Sequence, residues 1–243
     1  MFFIRLKYVS STNYFEMKLL LFDIDGTLIH AGGAGISAVN RAFCVIYHVQ
    51  DAMQGLKADG KTDPLILREM FRNTLNREYL DGEAARIYRR YLIYLEEEMK
   101  KRNPIAVPDG ILQILEAVSL RDDLKLGIAT GNIEEGAWLK LRYSGLDSYF
   151  KFGAFGSDSE DRGEMIRIAM ERGERVLNNC RGFDQVFVMG DTPFDIIHGK
   201  AAGATVFGVA TGSYPLKDLE IYNPDYLFED LGDVETALEV FVG

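Results

Sequence analysis

Residues 19–29 of the chain read LLLFDIDGTLI. The run from Lys18 to Ile24 (KLLLFDI) is short, apolar and bounded by polar residues, which predicts a buried strand. That strand ends in acid. Side chains alternate across a strand, so Asp23 and Asp25 point the same way if the extended geometry persists. Two carboxylates side by side at a buried strand end are costly unless a cation or a shared proton relieves them. Gly26 lets the chain turn away, and Thr27 is placed to cap the turn. Taken alone, the stretch reads equally well as an Asp-rich turn.

The surrounding rhythm supplies the fold. From about Ala34 to Arg102 the apolar spacing is helical, in three segments: Ile36–His48, Pro64–Leu75 and Glu83–Lys101. The last carries Ile87, Tyr91, Tyr94 and Leu95 on one face and ends in the charged run EEEMKKR, expected to be a solvated helix end. After Asn103-Pro104 strands and helices alternate. A helix Asp109–Leu120, capped by Asp109, precedes strand Leu124–Ala129. Helix Glu134–Tyr143, stopped by Ser144-Gly145, precedes strand Phe152–Phe155. A long helix from about Glu160 to Leu177 leads to strand Gln185–Met189, and a helix from Pro193 to Gly203 leads to strand Thr205–Val209. Tyr226–Phe228 and Val234–Phe241 close the chain. Such alternation predicts an α/β fold, a Rossmann-like parallel sheet covered on both faces. The helical block, entering after the first strand, is expected to overlie the carboxyl end of the sheet, where open α/β sheets bind ligands. Gly32, Gly33 and Gly35 at its exit and Asn103-Pro104 at its return are expected to serve as linkers or hinges. The division expected is a core of residues 17–31 and 105–243, an inserted helical cap of residues 32–104 and an N-terminal extension of residues 1–16.

Other strand ends carry matching chemistry. In VFVMGDTPFDI, residues 186–196, strand 185–189 runs out into Gly190 and Asp191, with Asp195 four residues on. Thr192 as N-cap with Pro193 in the first turn accounts for Thr192, and capping can also involve Asp195. Capping leaves Asp191 unexplained. Asp23, Asp25, Asp191 and Asp195, leaving two parallel strand ends, would make an oxygen-rich site for a hard cation such as Mg²⁺. Strand 124–129 ends at Thr130-Gly131-Asn132, which offers a hydroxyl and exposed N–H groups to an anion, or else a plain helix cap. Arg162, in SDSEDRGEMI, follows strand 152–155 and is either a surface arginine or the counter-charge to those carboxylates.

An aspartate pair, a threonine, a basic residue and a second aspartate pair, each following a strand, resemble the haloacid dehalogenase-like hydrolase superfamily. Within it they resemble the phosphoglycolate phosphatase-like branch, which has a helical cap after the first strand. The resemblance rests on D-x-D-G-T-L and G-D-T-P-x-D and spans nearly the whole chain from about residue 17. It implies a Mg²⁺-dependent phosphatase acting on a small phosphate ester. Asp23 would be the nucleophile that becomes an aspartyl-phosphate, and Asp25 the acid/base. Thr130 and Arg162 would hold the phosphoryl oxygens, with Gly131 and Asn132 beside them, and Asp191 and Asp195 would organise the metal. The family's basic residue is most often lysine; arginine keeps the charge and can bind two oxygens at once.

Residues 55–62, GLKADGKT, match the phosphate-binding loop G-x-x-x-x-G-K-[ST]. That loop needs a buried strand leading into its first glycine. Asp51, Ala52, Met53 and Gln54 are not such a strand, so the match is read as a turn between the first two helices of the block. The resemblance implies that such a loop faces the active site. Lys61 would then either contact a carboxylate or phosphate of the substrate or lie in a solvated turn.

Bulk properties narrow the alternatives. A net charge of −10 argues against a nucleic-acid partner, though not against anionic substrates. Three histidines without cluster spacing argue against a zinc site, and Cys44 and Cys180 are read as buried thiols suited to a reducing, cytoplasmic setting. No apolar run approaches the roughly 20 residues of a membrane span. Residues 1–16 make a poor signal peptide, and Met17 is a candidate native start. The expected assembly is a monomer or homodimer. The competing readings are a phosphomutase of the same superfamily, a non-catalytic binding protein on this scaffold and, last, a P-loop nucleotidase.

Overall fold

The computed structural model describes residues 16–176 and 182–242. The expectations for residues 1–15, for Cys180 and for the end of the long helix at Leu177 lie outside the described residues.

The apolar run that opens the core becomes β1 (Lys18–Phe22), buried at every position. Its alternation feeds two cores: Leu19 and Leu21 join one cluster, and Leu20 and Phe22 join the larger one on the opposite face. A strand buried on both faces needs an unbroken apolar sequence, as found here. The other strands are β2 (Leu124–Thr130), β3 (Gly153–Phe155), β4 (Gln185–Gly190), β5 (Thr205–Val209) and β6 (Tyr226–Phe228). They form one parallel sheet in the order β3-β2-β1-β4-β5-β6. The chain builds outward from β1 on one side, then crosses to β4 on the other. The direction of winding therefore reverses between β1 and β4, and the crevice at their carboxyl ends is where such sheets take ligands.

Between β1 and β2 stand α1 (Ala34–Tyr47), α2 (Asp63–Leu75), α3 (Glu83–Lys101) and α4 (Ile111–Ser119). Helix α1 packs on α3, and Phe43, Tyr47 and Phe71 interlock with ring centroids 4.8–5.2 Å apart. The chain leaves and re-enters the sheet region side by side: His30 N–H donates to the Ala106 carbonyl at 2.8 Å, an isolated antiparallel bridge. The Asn103–Pro104 peptide is cis. The remaining helices are α5 (Glu134–Ser144), α6 (Arg162–Val176), α7 (Pro193–Ala201), α8 (Leu216–Glu220) and α9 (Val234–Val242).

Several local expectations are corrected. Helix α4 starts after Gly110, which adopts φ +83° at the N-cap, and Asp109 does not cap it. A Cβ at Gly110 would lie 1.7 Å from the Leu231 carbonyl oxygen, so only glycine fits that approach. The EEEMKKR segment is not wholly solvated. Glu98 and Met99 are buried, and Lys101, Arg102 and Arg41 surround the Glu98 carboxylate. Hydrogen bonds from Lys101 and Arg102 hold Glu98 down at about 2. The short helix α8 lies in a stretch where no element was expected.

Candidate active site

Strand β1 ends at Phe22, and extended geometry does not carry through to Asp25. Asp23 still continues the ladder at the carboxyl end of the sheet, because its N–H donates to the Met189 carbonyl of β4 at 3.0 Å. Asp25 lies in the turn beyond, and the two aspartates engage different partners. Gly26 makes that turn possible with φ +83°, and a Cβ there would sit 2.4 Å from Asp191 Oδ2. Thr27 does not cap the turn as expected. Its hydroxyl donates to Asp191 Oδ1 at 3.1 Å, linking the two strand ends.

Asp23, Asp191 and Asp195 converge. Each is at least nine-tenths buried, and one carboxylate oxygen from each lies within 4.8 Å of the others. Burial raises Asp23 to about 6, with Asp195 adding to the shift and Arg162, Thr130 and the Ile24 N–H opposing it. Burial, then Asp195 and Asp23, push Asp191 well above the usual carboxylate range. Among the described residues, Arg162 is the one buried cation set against this group: its Nη2 bonds Asp195 Oδ1 and lies 3.6 Å from Asp23 Oδ2. Burial works against the arginine's charge, and Asp195 and Asp23 outweigh it. A single guanidinium leaves this cluster short of positive charge. Three buried, oxygen-only donors with two members pushed towards neutrality fit a hard divalent cation. Asp25 stands apart from this trio.

Asp195 also does what the capping expectation foresaw. Thr192 Oγ1 accepts from the Asp195 N–H, and Asp195 Oδ2 accepts from the Thr192 N–H at 3.1 Å, a closed capping box at the start of α7. One side chain therefore starts the helix, pairs with Arg162 and faces the other two acids.

On the opposite side, β2 delivers Thr130, fully buried, whose hydroxyl helps hold the Asp23 carboxyl down. Asn132 Nδ2 bonds both Thr130 Oγ1, at 2.8 Å, and Asp25 Oδ2, at 2.9 Å. Lys140, which sequence reasoning missed, completes this group. Its ammonium lies 2.5 Å from Asp25 Oδ2 and 2.6 Å from Asn132 Oδ1, and the residue is 3 % exposed. A signal existed: Gly136, Ala137, Lys140 and Leu141 recur at the spacing of one buried helix face, so the lysine sits where an apolar residue belongs.

A cavity of about 500 Å³ separates these strand ends from the helical insertion. The loop before α2 forms part of its wall and touches the core at several points. Arg162 Nη1 donates to the Gly60 carbonyl at 3.2 Å, and Ser213 Oγ donates to Asp59 Oδ1 at 3.2 Å. Asp63, which the sequence marked only as a helix start, donates its N–H to the Gly131 carbonyl at 2.7 Å and accepts from the Ile133 N–H at 2.8 Å. It thus supplies the cap that α5 lacks from its own N-terminal residues. Burial raises Asp63 to about 6 against the opposing pull of Lys140. Gly131 is confined by this contact, since a Cβ would lie 2.4 Å from the Lys61 carbonyl oxygen. Lys61 lines the cavity, but its ammonium rests on both Glu69 oxygens, at 2.6 and 2.8 Å. No strand precedes Gly55, so GLKADGKT lacks the setting of a nucleotide loop.

Known proteins share this plan. A pyrophosphatase PpaX of Listeria monocytogenes is 27 % identical over 224 residues, covering 90 % of this chain and 95 % of its own. The crystal structure of a hydrolase from Pseudomonas syringae superposes with a TM-score of 0.70 at 21 % identity, over 94 % of this chain and all of that one. CbbY from Rhodobacter sphaeroides, solved in complex with phosphate, gives 0.66 at 17 % identity, over 90 % of this chain and 96 % of that one. The sequence pattern of haloacid dehalogenase-like hydrolases matches residues 20–209, a span that holds every strand-end acid described above. By that match, carried over most of its length, the chain belongs to the haloacid dehalogenase-like hydrolase family.

Proposed function

We propose that the protein is a Mg²⁺-dependent phosphatase that hydrolyses a small phosphate monoester through an aspartyl-phosphate on Asp23. The observation that carries this reading is the environment of Asp23. It is a buried carboxylate at a sheet switch point, flanked by a hydroxyl, a guanidinium and two further acids. A carboxylate attacking an anionic phosphate needs positive charge on both partners. A Mg²⁺ ion held by Asp23, Asp191 and Asp195 would supply charge neutralisation to the phosphoryl oxygens.

The chain's own residues account for the remaining steps. Arg162 and the Thr130 hydroxyl bind phosphoryl oxygens, with the Gly131–Asn132 backbone beside them. An Asp23 oxygen bonds to phosphorus as the ester P–O bond breaks. Asp25 gives its proton to the departing oxygen, then takes one from the water that releases phosphate from Asp23. Lys140 and Asn132 hold the Asp25 carboxylate in place for both transfers. In this reading residues 17–31 and 105–243 form the core, and residues 32–104 form a cap that excludes water during transfer. The paired crossing at His30 and Ala106 and the contact of Arg102 with the Gly32 carbonyl support that division.

The test is phosphate release from 4-nitrophenyl phosphate with Mg²⁺ or EDTA, for the wild type and Asp23→Asn. Release should require Mg²⁺ and fall by at least about 10³-fold in the variant, the scale expected for loss of a nucleophile. Retained activity in Asp23→Asn would rule out the covalent route.

A further inference from the structure

The substrate of the proposed phosphatase can be narrowed from the charge of its cavity. We infer that this phosphatase takes monoesters whose leaving group is uncharged and largely apolar, and disfavours those carrying a second anionic group. The inference rests on the phosphatase reading.

The wall facing the strand ends comes from the helical insertion, and its apolar part is made of Ile36, Val39, Met53, Ile66, Tyr88 and Tyr91. A leaving group displaced from Asp23 must sit against that wall. Aliphatic and aromatic surface gains by covering such side chains, whereas a carboxylate or phosphate placed there loses its hydration without gaining a cation.

The cations of the cavity are already matched. Among the described residues its lining holds Lys61, Lys140 and Arg162 against Asp23, Asp25, Asp59, Asp63 and Asp191. Lys140 is taken by Asp25, and Arg162 by Asp195 and Asp23. Lys61, the one lysine or arginine that the insertion contributes to the lining, is held by both oxygens of Glu69. His30, the remaining basic residue of the lining, is at the exposed rim. Arg162 and a divalent cation would answer the charge of one phosphoryl group. No lysine or arginine of the lining is then left to answer a second anion, the unpartnered Tyr88 hydroxyl offers it a dipole without a charge, and two carboxylates, Asp59 and Asp63, stand on the insertion side to repel it. Glu69 is thus a specificity-determining residue that acts through Lys61.

The experiment compares, at pH 8 with Mg²⁺, pairs of esters that differ by a carboxylate, reading phosphate release. The pairs are phenyl phosphate against 4-carboxyphenyl phosphate and ethyl phosphate against phosphoglycolate, with pyrophosphate alongside. The neutral member of each pair should have a kcat/KM at least tenfold higher, and pyrophosphate should be turned over more slowly than either neutral ester. Glu69→Gln, which frees Lys61, should raise kcat/KM for both carboxylated esters at least fivefold and change the neutral ones less than twofold. Equal or better turnover of the anionic members by the wild type would overturn the inference and leave the phosphatase reading standing. Unaltered selectivity in a folded Glu69→Gln would overturn the role of Glu69. No release from any of the five compounds would overturn the phosphatase reading and this inference with it.

Discussion

Asp63 illustrates how much one side chain can carry. Its main chain and its carboxylate bond consecutive parts of the β2–α5 turn, and burial raises it from the ordinary 3.8 to about 6. The folded chain therefore holds this proton more tightly than the unfolded chain. The stability it contributes is full below about pH 4 and is lost as pH rises through about 6. Asp63→Asn keeps an acceptor for Ile133 without a titrating group. Between pH 4 and 7 the variant should gain stability relative to the wild type, on the order of 1–2 kcal/mol after allowing for partial solvent contact. Urea midpoints of both proteins at pH 4, 5, 6 and 7 measure this, and parallel profiles would dismiss it. Neither Asp63 nor Lys140 was legible as a site residue. Asp63-Pro64 is an ordinary helix opening, and Lys140 is marked only as a charge on the face of Gly136, Ala137 and Leu141, with nothing local to name Asp25 as its partner. The strand-end acids were legible because an apolar run that stops at a carboxylate states its own cost.

At the scale of elements, sequence rhythm and structure agree wherever a strand is buried on both faces. β1, β2, β4 and β5 are mainly apolar runs whose charged or amide residues fall only in the first two positions, and each lies within two residues of its expected bounds. The three-residue strands β3 and β6 also fall where expected, and agreement fails at the short helix α8 and where an element's end depends on tertiary contact. α8 has five residues, too few for a periodic signal. The start of α4 is set by Gly110 meeting Leu231, far along the chain. α7 is the opposite case, with its start written locally in Thr192-Pro193-Phe194-Asp195. Thr192→Ala opens that capping box and should cost about 1 kcal/mol in urea denaturation. Because Asp195 also meets Arg162, the same variant should lower kcat/KM for 4-nitrophenyl phosphate several-fold. A stability loss with unchanged kinetics would confine Thr192 to the helix.

Across the whole molecule, the sheet and the insertion meet at the loop of residues 59–63, and the meeting is close. Gly60 has φ +72°, and a Cβ there would lie 2.4 Å from Phe194 Cδ2 and 2.9 Å from Thr192 Oγ1. Gly60→Ala should hold the loop off the core. KM should rise by about tenfold or more with a smaller change in kcat, because the mouth closes less completely while the strand ends are untouched. Steady-state kinetics on 4-nitrophenyl phosphate decide it, and an unchanged KM would mean that the loop yields without consequence.

The bridge between His30 and Ala106 has a mechanical consequence. Two chain segments crossing side by side, with Cα atoms about 5 Å apart, resist twisting in a way that a single tether cannot. An opening of the insertion, as proposed above, would then turn about the line through the two crossings and would have to release the Asp63–Gly131 and Ser213–Asp59 hydrogen bonds. The aperture above Asp23 would be governed by a single angle.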